Sequence, residues 1–155
     1  MALVRILVDG YSLLHEWPEL APGKPRHSPV AREELINALT QYRDACGTPI
    51  TIVFDGAGSK RAADEPESTD AVEILYSRAG QTADQLIERA AHRLRSYGEV
   101  LVVTNDSAER EIVRGVGGMT QNCANFIQTV RSALNELDSA VRRYNEQEQA
   151  KFRSH

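Results

Sequence analysis

At 155 residues, with 41% hydrophobic and 26% charged side chains, the chain has the composition of one globular domain with its own core, not of a disordered segment. A formal net charge of −4 argues against a protein that coats nucleic acid by charge alone, although acids gathered at a site lower the total while basic residues cluster elsewhere. No apolar run nears the roughly 20 residues that cross a bilayer, and the N-terminus enters a strand pattern without a leader's charged and apolar regions, so a cytoplasmic protein is expected.

Taken in order, residues 3–8 read as a buried strand that ends abruptly in Asp9 and Gly10. Residues 11–29 carry Pro18, Pro22, Gly23, Pro25 and Pro29 and are expected to be a long irregular connection. Its Trp17, Lys24, Arg26 and His27 suit stacking on bases and holding phosphates, and equally a solvated loop with one apolar anchor. Ser28 and Pro29 open a helix as N-cap and first helical residue, Leu35, Leu39, Tyr42 and Cys46 give it one buried stripe, and Gly47 and Pro49 end it. Residues 48–54 form a second strand running into Asp55 and Gly56. Residues 56–70 read as a flexible loop with Lys60 and Arg61, and they do not fit a nucleoside-triphosphate loop.

A third strand covers Val72 to Tyr76. Thr82 with Gln85 then predicts a capping box at the head of a helix whose Leu86, Ile87, Ala90 and Leu94 face the core. Asp84 and Glu88 share a face beside that stripe, and Asp84 in the first turn also serves the helix dipole. The fourth strand, Glu99 to Val103, leads into Thr104-Asn105-Asp106, where Asp106 with Glu109 fits another capping box over residues 107–114. Residues 116–120 suggest a weak fifth strand. A long last helix begins near Asn122, with Ile127, Val130, Leu134, Leu137, Val141 and Tyr144 on one seam that packs on the sheet or pairs with a second copy in a homodimer. The polar stretch from Asn145 is expected to fray.

Alternating strands and helices predict an α/β fold, a mostly parallel sheet of four to five strands with helices on both faces. Ligands bind such sheets beyond the carboxyl ends of the strands, where Asp9, Asp55 and Asp106 stand and which Asp84 reaches through a right-handed crossover. Crowded carboxylates repel one another unless a cation intervenes, and oxygen ligands alone point to Mg2+ or Mn2+. Such a centre suits phosphodiester cleavage. Cys46 and Cys123 lack metal or disulfide spacing and read as packed free thiols, and the four histidines form no zinc pattern.

The segments Leu7-Val8-Asp9-Gly10-Tyr11-Ser12, Val53-Phe54-Asp55-Gly56, Gln81-Thr82-Ala83-Asp84 and Val103-Thr104-Asn105-Asp106 occur in the order seen in NYN domains. Over most of its length the chain resembles the bacterial YacP-like branch of the PIN-like nuclease superfamily. That resemblance implies a Rossmann-like, three-layer PIN-type domain over residues 1–145 with a polar tail at 146–155, acting as a metal-dependent endoribonuclease on single-stranded RNA, with the ribosome as a partner. It also implies that Asp9, Asp84 and Asp106 hold the metal, that Asp55 supports them, and that Ser12 orients the Asp9 carboxylate or a metal-bound water. The branch usually has Asn at the Ser12 position. Some NYN nucleases carry two adjacent acids where this chain has Ala83-Asp84, and Glu88 stands ready to replace the missing one. Lys24, Arg26, Lys60, Arg61 and Arg110 are the expected phosphate contacts, since basic side chains near the rim hold the backbone without reading bases. The alternatives are an RNA- or ribosome-binding module without catalysis, and a haloacid-dehalogenase-like phosphatase. The phosphatase pattern wants a second Asp where this chain has Tyr11.

Overall fold

The structure, a computed structural model, describes residues 3–56 and 68–153. The strands are β1 (Leu3–Asp9), β2 (Ile50–Phe54), β3 (Val72–Tyr76), β4 (Glu99–Val103) and β5 (Met119–Gln121). The helices are α1 (Gly10–Glu16), α2 (Pro29–Cys46), α3 (Ala83–Leu94), α4 (Ser107–Gly115) and α5 (Cys123–Arg153), with single 3-10 turns at Pro18–Leu20 and Arg95–Tyr97. All pairings are parallel, in the order β3-β2-β1-β4-β5. The central strands are apolar at nearly every position because helices cover both faces of the sheet.

Alternation along each strand sorts the core into two layers. Ile6, Val8, Ile52, Phe54 and Val103 pack with buried residues of α1, α2 and α5, whereas Leu7, Val53, Val100 and Val102 pack with those of α3 and α4. Strand order grows first to one side of β1 and then, through α3, to the other. The switch point therefore lies between β1 and β4, where Val8 is level with Val103 and Asp9 is the last residue of its strand.

Local chemistry sets most boundaries where the sequence places them. Ser28 Oγ accepts the Ala31 amide at 3.2 Å, Pro29 starts α2, and Gly47 ends it at φ +77°. Gly10 is required where α1 passes over the sheet, since a Cβ there would lie 2.6 Å from Phe54 Cδ1.

Four expectations are corrected. Residues 10–16 form α1 and are not irregular: the prolines all follow it, Asp9 caps it, and Leu13 and Leu14 bury its inner face. Trp17 is only 6% exposed and packs in the core, with the Arg131 guanidinium 5.9 Å from its ring centroid, so it is a fixed wall and not a free stacking platform. Cys46 is exposed, because the buried stripe of α2 ends at Tyr42, a turn before the helix does. The stretch from Asn145 continues α5 as helix to Arg153. Along that helix the seam is buried through Val130, partly buried at Leu134, and exposed at Leu137, Val141 and Tyr144.

Candidate active site

Asp9 is presented by β1 and fixed from two neighbouring segments. Ser12 donates its hydroxyl to Oδ2 at 2.9 Å and its amide to Oδ1 at 3.4 Å, so the carboxylate also caps α1. From the end of β4, the buried Thr104 hydroxyl reaches Oδ2 at 3.4 Å, and its oxygen accepts the Asp106 amide at 3.2 Å. Burial raises the Asp9 pKa, the Ser12 and Thr104 hydrogen bonds pull it back, and the Asp55 charge adds to the rise.

The capping box of α3 is complete: Thr82 Oγ1 accepts the Gln85 amide at 3.1 Å and Gln85 Oε1 accepts the Thr82 amide at 3.0 Å. It sets Asp84 in the first turn at the mouth of the switch point. Burial, then the charges of Asp9, Asp106 and Glu88, and a hydrogen bond with Asp106 lift Asp84 to about 6. Asp106 caps α4, accepting the Ala108 amide at 3.0 Å and the Glu109 amide at 3.2 Å through one oxygen, Oδ1. The structure thus brings Asp9, Asp84, Asp106 and Glu88 into one electrostatic group.

A fifth acid joins them. The sequence offers Glu109 as a capping-box partner, but it turns inward between α3 and α4, is 2% exposed, and is hydrogen-bonded to Glu88. Burial and then the neighbouring acids raise it to about 9, and its Oε1 has no hydrogen-bond partner. Thr104 likewise has no role that its place in the sequence marks. The signals for both were present, a polar residue closing a strand and a glutamate one turn into a helix, yet their roles depend on packing between segments distant in the chain.

Asp55, exposed at the end of β2, accepts the Ser77 hydroxyl at 3.0 Å, and the Ser77 oxygen accepts the Gly56 amide at 3.0 Å. A cleft of about 740 Å³ opens above Asp9, Ser12, Asp55 and Asp84, and its other wall is Tyr11, His15, Arg26 and His27. Of the expected phosphate contacts among the described residues, only Arg26 lines this cleft. Lys24 lines an adjoining cavity, and Arg110 folds back to donate to the Thr104 carbonyl at 2.9 Å. Lys60 and Arg61 lie outside the described residues. Cys123 is buried beneath the acids, where burial and the charges of Asp9 and Glu16 push its thiol up to about 12, which removes it as a thiolate nucleophile.

The donor set is oxygen only, and mutual repulsion among its carboxyls fits a hard divalent cation. The spacing is open: among the described residues, no three Asp, Glu, His or Cys side chains stand as a ready-made ligand group.

Parallel strands, helices on both faces and acids at the switch point define a PIN-like α/β domain of the nuclease-like type. Two crystal structures of Rae1 (YacP) from Bacillus subtilis share this fold at 25% identity. A tryptophan-to-leucine mutant matches with a TM-score of 0.79 over 93% of this chain and 85% of that one. The second structure gives 0.78 over 97% and 85%. The protein YacP of Bacillus subtilis (strain 168) is 27% identical over 139 residues, 89% of this chain and 81% of that protein. The model of the YacP-like NYN domain matches residues 6–155, and the chain belongs to that family.

Proposed function

We propose that the domain is a metal-dependent endoribonuclease that hydrolyses phosphodiester bonds of single-stranded RNA, with Asp9, Asp84 and Asp106 as the metal-holding acids. The observation that carries this reading is the meeting of those three carboxylates at the switch point, close enough that Asp9 and Asp106 help raise Asp84 to about 6. Membership of a nuclease-like family supports it. Mg2+ or Mn2+ would be held by the three aspartates with Glu88 in support, and when bound supplies charge neutralisation and an acidified water for hydrolysis.

The chain's own residues prepare the rest. Ser12 and Thr104 fix the Asp9 carboxylate and favour its ionised form. Asp55, braced by Ser77, extends the acidic rim, and Arg26 on the facing wall is placed to hold a backbone phosphate. Cleavage of labelled single-stranded RNA with Mn2+ tests the reading: wild type should cut and Asp9→Asn should not, and equal cleavage by both would sink it.

The open spacing of the acids favours one second reading, a domain of the same fold that binds RNA, alone or on a ribosome, without cutting it. It predicts RNA retention with no products under any divalent cation. Tight Mn2+ binding by calorimetry, lost in Asp106→Asn, would count against it.

A further inference from the structure

The cleft does not end at the acids. On its opposite wall, Arg26 donates from Nη1 to His15 Nδ1 and from Nε to His27 Nε2, the latter at 3.4 Å. Arginine has no acceptor, so both histidine nitrogens accept, which leaves the His15 Nε2 proton and further guanidinium protons for a ligand. The His27 ring lies 4.4 Å from the Tyr11 ring, and Arg32 Nη1 reaches the Tyr11 hydroxyl at 3.2 Å and the His27 carbonyl at 2.7 Å. The connection around residues 26–28 is thereby pinned to α1 despite its prolines.

Behind this wall is a second cavity of about 210 Å³, lined by Leu14, Trp17, Pro18, Ala21 and Lys24. His15 and Arg26 line both spaces and form the partition between them. The cavity is smaller than the roughly 300 Å³ at which pockets begin to take drug-sized ligands, so it suits a single ring system. Apolar walls with two cations at the rim match a flat heterocycle carrying a phosphate.

We propose that this cavity is a nucleotide subsite. It takes a base next to the phosphate lying at the acids, while Arg26 and Lys24 hold that base's own phosphate. The assignment rests on the RNA reading of the cleft and adds to it where the strand is gripped.

Nuclear magnetic resonance of the full chain in chelator, titrated with adenosine or uridine 5′-monophosphate and separately with inorganic phosphate, tests it. The nucleotides should shift the Trp17 indole N–H and the Ala21 and Lys24 amides, and phosphate alone should leave Trp17 in place. Ala21→Trp, which fills the cavity from a partly exposed position, should abolish the Trp17 shift and raise KM for RNA about tenfold, the size of one base contact. Nucleotide that leaves Trp17 unmoved, or moves it equally in Ala21→Trp, overturns the subsite. Nucleotide capture at Trp17 in a protein that cuts no RNA supports the subsite and overturns the endonuclease, so the two readings fail separately.

Discussion

Ser12 holds both oxygens of Asp9, with its hydroxyl 2.9 Å from Oδ2 and its amide 3.4 Å from Oδ1. Ser12→Ala keeps the amide bond and removes the hydroxyl bond. Hydrogen bonds to a charged partner are worth about 1.5–3 kcal/mol, so Ser12→Ala should lower kcat/KM for RNA roughly tenfold or more at neutral pH. Because the lost bond lowers the Asp9 pKa, the acid limb of the pH–rate profile should also move upward. Ser12→Asn, which can offer a side-chain amide N–H to the same carboxylate, should restore most of the rate. A Ser12→Ala profile that overlays wild type would remove Ser12 from the site.

Asp106 has two duties that substitution can separate. As N-cap of α4, it is replaceable by Asn at almost no cost, whereas Asp106→Ala should lose about 1 kcal/mol of stability. As a member of the acid group, it should tolerate neither change, and cleavage should fall at least about 100-fold in both. Urea denaturation in chelator checks the first duty and RNA cleavage the second. Equal stability of the two variants would deny the cap, and cleavage retained in Asp106→Asn would deny the site.

The inward acids make the metal-free fold sensitive to pH. Asp84 is raised to about 6 from 3.8, and Glu109 to about 9 from 4.5, so above 4.5 the folded chain keeps protons that the unfolded chain has released. The unfolded state then binds fewer protons, and stability falls as pH rises through that interval up to about 9. Glu109→Gln is neutral throughout and should escape most of this loss. Its melting temperature in chelator, relative to wild type, should climb steadily between pH 5 and pH 9; a constant difference would show that Glu109 ionises normally.

Gly10 makes a purely steric prediction. A methyl group there meets the Phe54 ring, and the ring is fully buried with Ile52 beside it, so the clash has little room to relax. Gly10→Ala should cost about 1–3 kcal/mol, read as a lowered melting temperature with the same far-ultraviolet circular dichroism. Unchanged stability would mean that Phe54 moves aside.

The strands and the acids that end them are legible because each is a local statement, an apolar run followed by Asp. The capping box at Thr82 and Gln85 is local too, and it locates Asp84 correctly. What escapes is whatever depends on distant partners. Residues 10–16 become helix because Asp9 caps them and the sheet buries Leu13 and Leu14, neither of which can be seen beside a run of prolines. Glu109 looks like a cap from its spacing and becomes a buried acid only because α4 packs on α3. Trp17 looks available from its polar neighbours, yet α5 brings Arg131 over it.

The partition of the acids over the chain has a consequence for how the protein comes into being. Asp9 sits on the first strand, and its Thr104 partner arrives only when β4 pairs along β1. Such a pairing joins segments 95 residues apart, and contacts of that range form slowly. An emerging chain therefore displays Asp9 with Ser12 but without Thr104, and a truncation before Thr104 leaves a fragment that lacks Asp106 and Glu109. The acid group is complete only once β4 has paired with β1, and its appearance can serve as a reporter of that pairing.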